Sequence, residues 1–188
     1  MVMLEQRIQQ HFFDSADLKY QAADGLARPI ADAAQAMLGC ITSGGKLLVF
    51  GADASHWLAG YLAEAMIGRF ERERPGLAAI ELRPAASISV ATQVQAIGSP
   101  GDVLAVIASD ASDPSLAAAA QEAHAKEMTI VALVGRAAGA LAETLSETDV
   151  LVPVPHDRPA RVREMHLLIV HCLCDAVDLQ LLGEEHSA

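Results

Sequence analysis

Three stretches of the chain are apolar without a break: LLVF at Leu47–Phe50, VLAVIA at Val103–Ala108 and TIVALV at Thr129–Val134. A strand half-exposed to water alternates apolar and polar residues. A continuous run is what a strand buried on both faces requires, as in a parallel sheet covered by helices. With two weaker runs, the pattern predicts strands over Lys46–Gly51, Ala78–Leu82, Asp102–Ser109, Thr129–Gly135 and Asp149–Pro155. Helical spacing fills the gaps, over Ala54–Arg72, around Ser89–Ile97, and over Ser115–Lys126 and Ala138–Leu145. Alternating strands and helices imply right-handed βαβ units, hence a three-layer α/β/α sandwich around a five-stranded parallel sheet.

Both ends read as helical. Leu4, Ile8 and Phe12 recur every four residues, and Pro29 suits the first turn of a second helix carrying Ile30, Ala34, Met37, Leu38 and Ile41 before Gly44-Gly45 ends it. Residues 1–45 therefore form an N-terminal helical arm, and residues 46–188 the α/β domain with a last helix over Ala160–Leu182. That helix is apolar nearly all round through Met165–Cys174, so a neighbouring subunit is expected to help bury it.

Composition narrows the partners. At 188 residues, 52% hydrophobic and 20% charged, the chain can bury a sizeable core in one domain with a helical extension. A net charge of −11 argues against direct nucleic-acid binding, which relies on clustered Lys and Arg, and suits a basic protein partner better. Cys40, Cys172 and Cys174 are an odd number without a C-x-x-C, which points to reduced, buried, inert thiols and a cytoplasmic setting. The N-terminus lacks a signal-peptide pattern, and His171, Asp175 and Asp178 interrupt Leu167–Leu182, so no membrane span is expected.

The candidate chemistry begins at Lys46–Gly76, a strand turning into a helix through Gly51-Ala52-Asp53-Ala54-Ser55. Such a turn can aim backbone N–H groups at an anion, but Asp53 stands where a phosphate cradle favours glycine or asparagine. Ser55 is either a helix cap or a ligand contact.

Arg69–Leu82 (RFERERPGLAAIEL) and Arg161–Asp178 (RVREMHLLIVHCLCDAVD), with Gly101–Ser109 and Met128–Gly135, resemble the SIS-domain (sugar isomerase) family. The branch is the one that holds phosphoheptose isomerase and its non-catalytic relative, the DnaA initiator-associating protein DiaA; the ending looks closer to the latter. The resemblance implies a homotetramer built through terminal helices. It also implies zinc-assisted conversion of sedoheptulose 7-phosphate, with metal ligands a His and a Glu four apart on the helix after the glycine turn and a Gln and a His on the last helix. The matching positions here are Tyr61, Ala65, Arg163 and His171, of which only His171 is retained. No metal and no cofactor is therefore expected. His171 is the one catalytic candidate, though it and His166 read more simply as buried histidines. The matching substrate pocket is Gly51, Asp53, Ser55, Ser109, Asp110 and Ser112, with Asp53, Asp110 and Asp113 bringing carboxylates to it; Asp113 is alternatively the cap of the helix near Pro114.

The expectation is thus a non-catalytic scaffold, a homotetramer or homodimer that binds the initiator DnaA through Leu181 and Leu182. The alternatives are phosphoheptose isomerase itself, or a phosphosugar-binding protein using Ser55, Ser109 and Ser112. Arg69–Arg74 (RFERER) reads as a solvated helix end or a partner surface, and Trp57 as a pocket lid or subunit contact.

Overall fold

The computed structural model describes residues 2–184. The chain runs α1 (Val2–Thr42), β1 (Leu47–Gly51), a 3₁₀ turn (Asp53–Ser55), α2 (His56–Ile67), β2 (Ala79–Leu82), α3 (Val90–Ile97), β3 (Val103–Ala108), α4 (Pro114–Ala125), β4 (Thr129–Val134), α5 (Gly139–Thr144), β5 (Val150–Pro153) and α6 (Pro159–Leu182). The five strands form one parallel sheet in the order β2-β1-β3-β4-β5. This is the α/β/α sandwich expected from the continuous apolar runs.

Alternate residues of each strand feed two cores. Leu47, Val49, Val103, Ala105, Ile107, Val131 and Leu133 pack against α1, α2 and α6. Leu48, Phe50, Leu104, Val106, Ile130 and Ala132 pack against α3, α4 and α5. A pleated strand buried on both sides has no place for a polar residue, which is why β1, β3 and β4 read as unbroken apolar runs.

Three details depart from the sequence reading. The two expected N-terminal helices are one, with Pro29 inside α1. Proline removes one ladder hydrogen bond and crowds the carbonyl four residues back. Here the helix continues because Leu18, Ala22 and Leu26 before it, and Ala33, Ala34 and Met37 after it, are buried in the same core. Leu4, Ile8 and Phe12 do share a helix but are 62%, 49% and 73% exposed. The helix expected over Ala54–Arg72 stops at Gly68. Arg69–Arg74 is therefore not a helix end: Arg69 pairs with Glu73, while Arg74 is buried, pairs with Asp178 of α6 and donates to the carbonyls of Ala65 and Met66.

Cys40 and Cys174 are buried as expected, but Cys172 is exposed on α6. Desolvation raises all three thiols, Cys174 to about 12; Cys172 is only partly desolvated and the charge of Asp175 adds to its rise, so none is activated. Helix α6 is long and apolar enough to cross a membrane by length and composition, and 44% of its most apolar window is buried within this chain.

Candidate active site

The strand order creates the site. From β1 the chain crosses to β2 on one side and then to β3 on the other, so the loops leaving the carboxyl ends of β1 and β3 diverge. Open α/β sheets bind ligands in the crevice at such a switch point. Gly51 ends β1 there, and a Cβ on it would lie 2.4 Å from the carbonyl oxygen of Ser55, so only glycine lets the turn close this tightly. Asp53 follows with φ of +46°, in the left-handed region that glycine enters freely and that aspartate tolerates better than most residues.

Gly51, Asp53, His56, Arg83, Asp113 and Ser115 line a cavity of about 510 Å³. A second, of about 230 Å³, holds Ser109, Asp110, Gly135, Arg136, His156 and Asp157. The structure thus divides the expected pocket. Gly51 and Asp53 face one cavity, Ser109 and Asp110 the other, and Ser112 is exposed beside them.

The loop carboxylates do not simply face the crevice. Asp110 accepts from the amide of Ser112 at 3.0 Å, and Asp113 accepts from that of Ser115 at 2.8 Å, capping α4. Each carboxylate occupies a backbone donor that a bound anion would otherwise use. Ser55 behaves in the opposite way. It stands at the N-cap of α2 but makes no side-chain cap bond. Its hydroxyl is fully buried without a hydrogen-bond partner among the described residues. A buried hydroxyl left unpaired costs about 1–3 kcal/mol, so the cap role fails, and because Ser55 lines neither cavity a ligand would reach its hydroxyl only if the turn moved.

His171 lies apart from both cavities, in the groove between α2 and α6. Its Nε2 is 3.1 Å from the Tyr61 hydroxyl, and its ring packs against Tyr61 edge-on and against Phe70, with centroids 5.6 and 5.4 Å away. Arg163, one of the four positions matched to metal ligands, donates to Ser109 Oγ at 3.1 Å and so ties α6 to the loop after β3. His166, one turn along α6, is fully buried, with Nε2 3.2 Å from the Val134 carbonyl and Nδ1 unpaired among the described residues. Burial, with the Arg163 charge adding to it, lowers His166 to about 4.

These residues do not fit a zinc site. Tyr61 occupies the nitrogen His171 would offer, Ala65 has no donor, and Arg163 is a permanent cation. Among the described residues no cluster of three or more His, Cys, Asp or Glu side chains could hold a metal ion.

One residue and one contact went unread in the sequence. Arg83 brings a positive charge to the larger cavity, on the link after β2, where it pairs with Glu81. Its only signal was being the sole cation between β2 and α3. The contact of Arg163 with Ser109 spans 54 positions and had no local signal. Of the expected contact pair, Leu181 is half-buried against the core shared by α1, α2 and α6, and Leu182 is 39% exposed.

Comparison with known proteins bears on what the crevice does. A phosphoheptose isomerase from Methylibium petroleiphilum is 55% identical over 197 residues, covering 98% of each chain. One from an Azoarcus species is 43% identical, covering 95% of this chain and 97% of its own. A solved phosphoheptose isomerase from Francisella tularensis superposes with a TM-score of 0.87 at 36% identity, over 95% of this chain and 99% of its own. These relatives overturn the expectation of a non-catalytic scaffold that binds DnaA: they carry the name of the enzyme, which was the alternative. The reading as not an enzyme falls with it, because it rested on absent metal ligands and on loop carboxylates that the fold turns onto their own backbone amides. The SIS-domain family model matches residues 11–135, and this chain belongs to the SIS-domain family, in the branch of phosphoheptose isomerase.

Proposed function

We propose that the protein is a phosphoheptose isomerase, interconverting sedoheptulose 7-phosphate and the corresponding aldose phosphate. The observation that carries this reading is the 55% identity to a protein of that name across 98% of both chains. The crevice at the switch point of the strand order, lined by Gly51, Asp53 and Arg83, supports a ligand there.

Aldose–ketose isomerisation moves one proton between adjacent carbons and one between their oxygens. A base takes the proton from the carbon beside the carbonyl while the carbonyl oxygen gains one. The enediol then receives a proton on the former carbonyl carbon while the hydroxyl on the first carbon loses its own and becomes the new carbonyl, so the net change in protons is zero. His171 is assigned the carbon-side transfer from its place in the family pattern, which requires the reacting carbons to reach from the crevice to the α2–α6 groove and to exchange with the Tyr61 hydroxyl on its Nε2. Gly51, Asp53, Ser55, Ser109, Asp110 and Ser112 are assigned to substrate binding, with Arg83 and Arg163 supplying positive charge.

The subunit arrangement belongs to the same reading. Val2, Met3, Leu4, Ile8, Phe12 and Phe13 on α1 are all at least 49% exposed, and Leu168, Leu179 and Leu182 on α6 are about 40% exposed. We assign residues 1–45, with Leu181 and Leu182, to contacts between copies of this chain in a homo-oligomer, and place the protein in the cytoplasm on its three free thiols. The deciding test follows sedoheptulose 7-phosphate by NMR with purified protein, beside light scattering for the assembly state. Appearance of the aldose phosphate, lost in His171→Ala, is the expected result. No conversion at high enzyme concentration, with and without added zinc, refutes the reading.

A further inference from the structure

We propose that in this protein side chains replace the divalent metal: Tyr61 caps His171, Arg163 supplies a fixed positive charge beside the β3 loop, and the site binds its phosphosugar without any divalent cation. The inference rests on the phosphosugar reading above, but the metal question can be answered separately.

Three features at the matched positions act in the same direction. His171 is the one ligand type retained, and its Nε2 lies 3.1 Å from the Tyr61 hydroxyl, while Phe70 and Tyr61 hold the ring. A metal would have to displace that hydrogen bond to reach the nitrogen. One turn along α2, Ala65 is buried and offers only a methyl group. Its neighbour Glu64 is exposed, about 100° round the helix, and so faces elsewhere. Arg163 is the third feature. A guanidinium stays protonated at all working pH values, so a position that would have to supply a ligand instead repels a dication brought to it. It also has five N–H donors in a planar fork, and the described structure uses one of them, on Ser109 Oγ. That contact puts a permanent cation at the end of β3, against the loop assigned to substrate. In a loop whose Ser112 and Ser115 amides are taken by Asp110 and Asp113, an arginine is the group best suited to bind a phosphate or an enediolate oxygen.

The test has two measurements. First, the protein is loaded with excess zinc, desalted and assayed for metal, and its melting temperature is compared in zinc and in EDTA. The expected result is well below one zinc per chain and no zinc-dependent shift. About one zinc per chain, or a rise of roughly 5–10 °C at a hundredfold excess over Kd, overturns the proposal. The combined variant Tyr61→His, Ala65→Glu, Arg163→Gln restores the ligand types, and it is expected to take up about one zinc per chain. If it folds, judged by circular dichroism, and still takes none, these three side chains are not what excludes the metal. Second, sedoheptulose 7-phosphate is titrated calorimetrically in EDTA. Binding unaffected by EDTA, weakened about tenfold or more in Arg163→Gln and partly restored in Arg163→Lys, supports the assigned charge. Binding that appears only with zinc overturns it while leaving the isomerase reading intact. Absence of sugar binding under both conditions sinks the isomerase reading and, with it, the role given to Arg163, while the zinc stoichiometry still decides whether the metal is excluded.

Discussion

The two edges of the sheet differ in how far they satisfy their buried polar groups. At the amino-terminal edge, Asp102 is 2% exposed, and its oxygens accept from the Lys46 amide, the Lys46 ammonium and the Ser99 amide. Asp149, at the start of β5, accepts from the amides of Ile130 and Ser146, the Ser146 hydroxyl and His124. Burial pushes Asp149 up, yet those donors pull harder and hold it below the usual carboxylate range. At the carboxyl-terminal edge, Asp53 sits at a positive φ, and among the described residues neither the buried hydroxyl of Ser55 nor the buried Nδ1 of His166 has a partner. Where local rules are broken in an otherwise consistent fold, function is the usual reason. The amino-terminal edge is not free of such groups, since Glu127 also holds a positive φ, of +56°, and Asp178 keeps one buried oxygen unpaired among the described residues, so it is the switch point of the strand order together with the unpaired groups that marks the carboxyl-terminal edge as the site.

The largest effect should come from breaking the foundation. Asp102→Ala leaves two amides and a three-quarters-buried ammonium without their acceptor. A loss of about 3–5 kcal/mol in unfolding free energy is expected, read from urea denaturation. A loss below about 1 kcal/mol would mean that water already satisfies this edge.

A smaller effect is expected from pH, and it originates at the other edge. The folded pKa of His166 is about 4 and the unfolded value is near 6.5. Above pH 6.5 both states are neutral and nothing is lost. Below it the unfolded chain binds a proton that the folded chain refuses, so stability falls as pH drops from 6.5 to 4, by about 3 kcal/mol in all. Asp149 extends the loss to lower pH, because its lowered folded pKa contributes stability only while it stays ionised. His166→Gln keeps an N–H donor for the Val134 carbonyl and should flatten the profile between pH 6.5 and 4; an unchanged slope would assign the proton to another group.

Ser55→Ala separates stability from binding. Removing an unpaired buried hydroxyl should leave the melting temperature unchanged or raise it slightly, while affinity for sedoheptulose 7-phosphate falls about tenfold. Lower stability with intact affinity would make the hydroxyl structural and weaken the contrast between the edges.

Much of this was legible in the sequence, and what was not has a common cause. LLVF, VLAVIA and TIVALV announced buried parallel strands because period and burial are local properties. Asp113 read as a cap for the same reason. Pro29 misled because core packing on both flanks outweighs one lost hydrogen bond, and Arg69–Arg74 misled because the partner of Arg74 lies 104 positions away. Apart from Arg83, the candidate residues of the site were named, but their relations were not. Tyr61 meets His171 across 110 positions and Arg163 meets Ser109 across 54. The functional expectation failed at that step. Missing metal ligands were read as missing chemistry, when the fold had placed other groups at those positions.

The smallest effect tests the site edge most finely. Asp53 holds φ at +46°, and asparagine enters that region as readily, so Asp53→Asn should change stability by less than about 0.5 kcal/mol. What it removes is one negative charge from a cavity shared with Asp113 and Arg83. Repulsion between a carboxylate and a phosphate about 4 Å apart in solvent is on the order of 1 kcal/mol, so affinity for a sugar phosphate should rise about fivefold. Calorimetry with sedoheptulose 7-phosphate and with inorganic phosphate would separate two roles. A gain for both means that Asp53 only repels the anion. A gain for inorganic phosphate with a loss for the sugar would mean that the carboxylate accepts from sugar hydroxyls. The strained residue would then be selecting the sugar, and the cost of its left-handed backbone would have a functional reason.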